Sequence, residues 1–394
     1  MLLGPWYDVW KKRDNAKWKN NTKNPKVSIL VPAYNEEVGL LSTVKTILAS
    51  NYRNLELIVV NDGSTDKSDE VMRAFMGSQT VWDGITIKYF YKENGGKGRA
   101  LNFGFEQSMG DIIMSIDADC IVMPFTVGNF VKRFNNPDVQ AVVGNVKIGN
   151  SENPITLLQK LEFQFSFYWK KSESILNTIY IIGGAAGAFR REVLERFGGY
   201  DTTSITEDID LSVKIQAAGL KVVYADDAIV YTEGATTIKG LIKQRIRWKY
   251  GWITTFANHS YLIFSINKKH NKVLSWFVIP LTYINNLQLI FEPLCVVLLY
   301  IYCMLTHDFS PFISWIILES SPFIIHALYD DKNSRKFSFL IYSPISWLIF
   351  HLSTYVEYRA LFGSMKDIIM KREATWGVWT RTGCGIKLNE DTAK

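Results

Sequence analysis

The sequence predicts an α/β domain with a Rossmann-like, mainly parallel sheet, followed by an α-helical membrane region. Three observations carry that expectation. Short β-branched runs alternate with helical patterns between residues 26 and 232. Three of those runs end in acidic or amide side chains. After Lys272 the chain becomes long apolar stretches with few charges.

The elements follow in order. Residues 1–25 set Trp6, Tyr7, Trp10 and Trp18 among Lys11, Lys12, Arg13, Lys17 and Lys19. That pattern fits either an amphipathic segment at a membrane interface or a disordered tail. Val27 to Pro32 is a buried strand, and Asn35 is placed to cap a helix carrying Val38, Leu41, Val44 and Leu48 at helical spacing. Leu55 to Val60 is a second strand, ending at Asn61-Asp62-Gly63-Ser64. Ile85 to Tyr91 is a third, and Gly95-Gly96-Lys97-Gly98 opens a helix. Asp111 to Ile116 is a fourth and ends in Asp117-Ala118-Asp119. Residues 154–176 read as one long aromatic-rich helix, and Thr206 as the cap of a helix starting Glu207-Asp208.

Residues 273–305 and 309–329 are each long enough to span a bilayer, which takes about 20 residues. Lys332, Arg335 and Lys336 in the next link put that link and the α/β domain on the cytoplasmic side. Residues 337–358 form a third apolar stretch containing His351 and Glu357. With a cytoplasmic tail they lie at the interface or re-enter; as a third span they put a basic tail outside. The expected organisation is an N-terminal segment 1–25, an α/β domain 26–238, interfacial helices 239–272, membrane helices 273–358 in two or three spans, and a basic cytoplasmic tail 359–394.

Composition narrows the class. At 394 residues the chain is too long for one small core. Its net charge of +6 is modest, its basic clusters flank apolar sequence, and no recognition module appears, so a nucleic-acid role is not expected. The four cysteines form no Cys-x-x-Cys pair, which argues against a disulfide or zinc framework.

In open α/β sheets ligands sit beyond the carboxyl ends of the strands, and that is where Tyr34-Asn35-Glu36, Asp62, Asp117 and Asp119 fall. Asp117-x-Asp119 supplies the hard oxygen donors that a divalent cation takes together with substrate phosphates. Lys97, in a Gly-rich turn at a helix start, suits nucleotide phosphates or the base, where backbone N–H groups also favour anions. Glu207 and Asp208 in a first helical turn serve helix stability, and Asp208 also suits a general base acting on an acceptor hydroxyl. Gln244, Arg247 and Trp248 share one helix face at i, i+3 and i+4. A guanidinium fork there matches diphosphate oxygens, and the indole offers a flat face to a sugar. The same helix also reads as an interfacial one with snorkelling basic side chains.

Together, Val31 to Glu36, Asn61 to Ser64, Gly96 to Asn102, Asp117 to Asp119, Thr206 to Asp208 and Gln244 to Trp248 resemble the family 2 glycosyltransferases of GT-A fold. Among these, the processive membrane synthases of poly-N-acetylglucosamine, hyaluronan and cellulose look most similar. The resemblance covers residues 26–260 by motif and the rest by hydrophobic layout. It implies an inverting, UDP-sugar-dependent β-glycosyltransferase that uses Mg²⁺ or Mn²⁺ at a cell membrane. Pro32, Tyr34, Glu36, Asp62 and Lys97 would hold the nucleoside, Asp117 the nucleotide and Asp119 the metal. Gly183 and Gly184 through Phe189 would line the acceptor site, Asp208 would be the base beside Glu207, and Gln244, Arg247 and Trp248 would hold diphosphate and acceptor sugar. The acceptor is a growing polysaccharide or, alternatively, a polyprenyl-phosphate or ceramide-like lipid. Many relatives carry spanning helices ahead of the domain, whereas none is expected in the 25 residues before the first strand. A partner subunit, a homo-oligomer or a non-processive enzyme all fit that departure.

Overall fold

The structure is a computed structural model that describes residues 3–18, 24–77, 80–150, 153–329, 346–372 and 381–386. Its frame is a nine-stranded mixed sheet. The strands are β1 (Val27–Ala33), β2 (Leu55–Asp62), β3 (Val81–Trp82), β4 (Ile85–Lys92), β5 (Ile112–Ser115), β6 (Ile121–Val122), β7 (Val139–Ile148), β8 (Gly187–Arg190) and β9 (Lys221–Thr232). Their spatial order is β3-β4-β2-β1-β5-β8-β7-β9-β6.

The half β4-β2-β1-β5 is parallel, as the alternating pattern predicts. Every residue of β2 is buried, as befits a strand covered on both faces. The rest departs from a mainly parallel sheet. β8 lies antiparallel between β5 and β7, while β3 and β6 pair antiparallel with β4 and β9. The small-residue run before β8 reads as a loop, so its return into the sheet has no periodic signature.

Helices cover both faces: α1 (Tyr7–Lys17), α2 (Leu40–Leu48), α3 (Ser68–Met76), α4 (Lys97–Glu106), α5 (Thr126–Arg133), α6 (Pro154–Leu176), α7 (Arg191–Phe197) and α8 (Glu207–Ala217). α6 starts where Asn153 accepts from the Ile155 and Thr156 amides in a capping box. Asn35 does not cap α2. It sits at φ 54°, outside any helix start, and its Oδ1 accepts from the Thr65 amide at 2.8 Å. The side chain thus ties the β1 loop to the β2 loop.

Within the N-terminal segment, residues 7–17 form a helix that contacts the α/β domain. α1 docks on the domain: Tyr7 is fully buried, and its hydroxyl donates to the Tyr224 carbonyl at 2.6 Å. Lys11 pairs with Asp226 at 2.6 Å. A buried hydroxyl with a backbone acceptor and an aromatic surround favours the domain over the interface. Tyr7→Ala is expected to lower stability by about 3–5 kcal/mol, read by thermal unfolding of the purified protein. An unchanged midpoint would mean that α1 does not belong to the folded unit.

After β9 comes α9 (Ile238–Asn258), one helix through most of the expected interfacial segment. Next are α10 (Ile279–Thr306), α11 (Ser310–Tyr329) and α12 (Ser346–Ile369). Among the described residues one helix, Leu274–Thr306, is long and apolar enough to cross a membrane. It leaves Leu281, Ile284, Leu287, Phe291, Leu294 and Leu298 exposed, a belt that asks for a nonpolar surround. The 330–336 link and residues 337–345 lie outside the described residues. α12 continues eleven residues past 358, from 359 to 369, and packs along α9. The first turns of the apolar helix pack inward: Leu274 and Ile279 share a cluster with Ile209 and Val213 of α8 and with Trp252 and Phe256 of α9.

Candidate active site

Beyond the carboxyl ends of β1, β2 and β5 lies a cavity of about 840 Å³, closed on one side by α9 and on the other by α6. Pro32 reaches it from the end of β1, Tyr34 and Glu36 from the loop that follows, and Asp62 from the end of β2. The Asp62 carboxylate accepts from the Gly95 and Gly96 amides at 3.0 and 2.7 Å and from Lys92 at 2.5 Å. It therefore sets the turn that delivers Lys97 to the start of α4.

Lys97 Nζ lies 2.6 Å from Asp117 and 3.4 Å from Glu207. Burial alone would lower its pKa, but Asp117, Glu207 and Asp208 outweigh it and hold the ammonium charged well above its ordinary range. Burial and the neighbouring Asp208 push Glu207 up to about 7, while Lys97 pulls the other way. A Cβ on Gly184 would lie 2.6 Å from Lys97 Nζ, so a side chain there would have to displace the ammonium.

Asp208 faces the cavity from the first turn of α8. Its Oδ2 accepts from the Gly184 amide at 2.9 Å and its Oδ1 from its neighbour Ile209 at 2.9 Å. Thr206 precedes the helix as expected but makes no side-chain cap bond. The hydroxyl is instead pressed against α9, where a Cβ on Gly251 would lie 2.2 Å from Thr206 Oγ1. Glycine at 251 is what lets the two helices meet.

Gln244, Arg247 and Trp248 all line the cavity from α9. Gln244 Oε1 is buried with no hydrogen-bond partner among the described residues, so the wall offers one unused acceptor. Burial lowers the Arg247 pKa, and Glu207, Asp117 and Asp208 oppose that effect. Arg245 lies over the Trp248 ring at 4.4 Å. Gly183 and Gly184 are also in the wall. Phe189 is not: it sits in β8, 1% exposed, edge-on to Tyr200 in the core. In a strand covered on both faces its ring has no route to the acceptor site.

Asp119 and Asp117 both line the cavity. No group of three or more His, Cys, Asp or Glu side chains with metal-site geometry occurs among the described residues. Two carboxylates at one strand end still fit a cation that completes its shell with substrate phosphates and water.

Four side chains of the site escaped the sequence reading. Arg381 spans Glu36 and Asp119, with Nη1 2.8 Å from Asp119 Oδ2. Residues of the expected basic tail, 359–394, thus reach the site. Burial pushes the Glu36 carboxyl up to about 8, and Asp119 adds to that, against the guanidinium. Glu233 follows β9 and holds the residues after Arg381, a strand-end carboxylate with the same signal as Asp62. Glu162 of α6 and Glu357 of α12 pair with α9: Arg245 with Glu162 at 2.5 Å, Lys249 with Glu357 at 3.0 Å.

Residues 25–251 match the family described as glycosyltransferase-like family 2. The chain is 28% identical over 344 residues to the poly-beta-1,6-N-acetyl-D-glucosamine synthase of Staphylococcus epidermidis, covering 82% of this chain and 80% of that protein. It is 31% identical over 227 residues to the synthase of the same name from Staphylococcus aureus (strain COL), covering 57% and 54%. Among solved structures, mannosyltransferase PcManGT from Pyrobaculum calidifontis, in complex with GDP-Man and Mn²⁺, superposes with a TM-score of 0.60. That match is at 20% identity over 94% of this chain and 96% of that one, a likeness of fold.

Proposed function

The chain belongs to glycosyltransferase-like family 2, and on that premise we propose that it is a membrane-bound, inverting β-glycosyltransferase. It transfers a sugar, GlcNAc or Glc, from a UDP-sugar to the end of a growing polysaccharide. The observation that carries this reading is one continuous cavity. It runs from the strand-end carboxylates, past Asp208, to the aromatic and charged face of α9 beside α12. The naming of the staphylococcal relatives as poly-beta-1,6-N-acetyl-D-glucosamine synthases puts GlcNAc first.

Pro32, Tyr34, Glu36, Asp62 and Lys97 hold the uridine, and Asp117 the nucleotide. A Mg²⁺ or Mn²⁺ ion at Asp119 supplies charge neutralisation of the diphosphate when bound. Arg247 and Gln244 hold diphosphate oxygens, and Trp248 with Gly183 and Gly184 seats the acceptor. Asp208 takes the proton of the acceptor hydroxyl as its oxygen attacks the anomeric carbon. The bond from that carbon to the diphosphate breaks on the opposite face, UDP leaves, and the configuration inverts.

The catalytic domain (26–238) and the α9 region (239–272) face the cytoplasm, with residues 273–358 contributing two or three spans and the tail returning to the domain. Export of a polymer needs more spanning structure than one helix, from those stretches, a second copy or an accessory membrane subunit.

The alternative acceptor is a lipid such as a polyprenyl phosphate or a ceramide-like molecule. At the far end of the cavity Arg245 and Lys249 are already neutralised by Glu162 and Glu357. Paired cations suit a neutral saccharide better than a phosphate. The test is a donor screen of the purified protein across UDP-GlcNAc, UDP-Glc and other UDP-sugars with Mg²⁺ or Mn²⁺, with mass analysis of products. A ladder of β-linked GlcNAc or Glc is expected. One lipid-soluble species selects the alternative, and no UDP release from any donor overturns both.

A further inference from the structure

α8 is held from two sides. On one face Asp208, Ser212 and Gln216 stand at i, i+4 and i+8 and grip the 179–184 segment. Asp208 Oδ2 accepts from the Gly184 amide at 2.9 Å, and Ser212 Oγ accepts from the Ile182 amide at 2.9 Å. Gln216 Nε2 donates to the Ile179 carbonyl at 2.8 Å. The other side meets α9 through Thr206, Ile209 and Val213. Those contacts are steric and apolar, and apolar contact carries no direction.

A directional bond closes that second side. His259 caps the C-terminal end of α9, is 8% exposed, and places Nε2 3.0 Å from Asp210 Oδ1. Asp210 is 5% exposed and stands two residues beyond Asp208 on α8. Burial would raise its carboxyl, but hydrogen bonds from His259 and Lys214 outweigh that and hold it below the ordinary range. A carboxylate has no proton to give, so Nε2–H donates. In the neutral ring Nδ1 then accepts from the Tyr261 hydroxyl at 2.9 Å. Both ring nitrogens are used, and each fixes the role of the other. Asp210 Oδ2 pairs with Lys214 at 2.6 Å.

α9 carries Gln244, Arg247 and Trp248 into the cavity, and α8 carries Asp208. The spacing between the base and the diphosphate-binding face is therefore the offset of these two helices. A shift of about 1 Å in such an offset costs on the order of 10²-fold in rate. We infer that His259 is a positioning residue: its bond to Asp210 fixes the register of α8 against α9, and with it the approach of Asp208 to the acceptor hydroxyl. His259 is not in the cavity wall and acts only through Asp210. Loss of the imidazole leaves Asp210 paired with Lys214 and leaves the apolar contacts in place, so the effect falls on register before it falls on folding. The role given to Asp208 comes from the proposed function, on which this inference rests.

The test uses the full-length protein with the donor and metal ion that support turnover, and kcat is referred to folded protein counted by UDP binding. His259→Leu is expected to lower kcat by about 10–100-fold, with donor KM and UDP affinity unchanged. His259→Gln, whose amide N–H reaches Asp210 in place of Nε2–H, should recover most of that loss. Asp210→Asn should also lower kcat alone. The double variant His259→Leu/Asp210→Asn should fall no further than the worse single one, because both changes remove one bond. Full kcat in His259→Leu overturns the proposal, as does a glutamine variant as slow as the leucine one, or losses that multiply in the double variant. If His259→Leu does not fold, Asp210→Asn decides: a reduced kcat at unchanged KM supports the proposal, and an unchanged kcat overturns it. If the unaltered protein releases UDP from no donor, the proposed function falls and takes this role with it. Full kcat in His259→Leu of an active protein removes the positioning role alone.

Discussion

Asp208→Asn is expected to reduce sugar transfer by roughly 10²–10⁴-fold while UDP binding stays unchanged. The side chain is held at both oxygens, by the Gly184 amide and by the Ile209 amide, so its direction into the cavity is fixed. Asparagine keeps the shape and one acceptor oxygen but takes no proton. The loss therefore falls on kcat, because only the step that removes the hydroxyl proton is affected. UDP release from a defined donor, with UDP affinity measured separately, checks the prediction. Turnover near that of the unaltered protein would take the base role away from Asp208.

Arg247→Ala is expected to lower kcat by about 10²–10³-fold, the scale seen when one preorganised stabilising group is lost. The donor KM should also rise. The side chain lies in a cavity wall where burial would favour losing its charge, and three carboxylates oppose that. Entry of a diphosphate, with its own negative charge, adds to the same side. Arg247→Lys should recover only part of the activity, since an ammonium cannot reproduce the planar fork. Separate kcat and KM values with a fixed donor decide the matter. An unchanged kcat in the alanine variant would place Arg247 in ground-state binding or in helix packing instead.

Much of the parallel half of the sheet was legible because its signals are local. Val27 to Val31 is almost wholly apolar and buried on both faces, and a strand so covered must lie inside a layered domain. Asp62 and Asp117 stand at strand ends, and strand ends share one edge whatever the strand order. The antiparallel insertion of β8 was not legible, since Gly187 and Ala188 carry no periodicity. Phe189 was misread for the same reason: the notion of an acceptor loop hid a strand whose ring is core. Asn35 was misread because a polar residue before a helix resembles a cap, whereas its backbone is left-handed and its partner lies thirty residues on. Arg381 had no local signal at all. It sits 345 residues from Glu36, and nothing in the run around it marks a partner at that range. Long-range charge pairing is decided by topology, which a periodic pattern does not encode.

The cluster formed by Ile209 and Val213 of α8, Trp252 and Phe256 of α9, and Leu274 and Ile279 of the apolar helix has a practical meaning for handling the enzyme. The helix that presents Asp208 and the long apolar helix share one miniature core. A shortened chain ending before Leu274 would remove Leu274 and Ile279 from that core beneath the reacting centre while leaving the nine-stranded sheet intact. Such a chain can be well folded by every spectroscopic measure and still be inert. In harsh detergent the full-length protein would lose activity well before its sheet melts, and lipid-like amphiphiles that preserve the packing at Leu274 are the medium in which its chemistry survives.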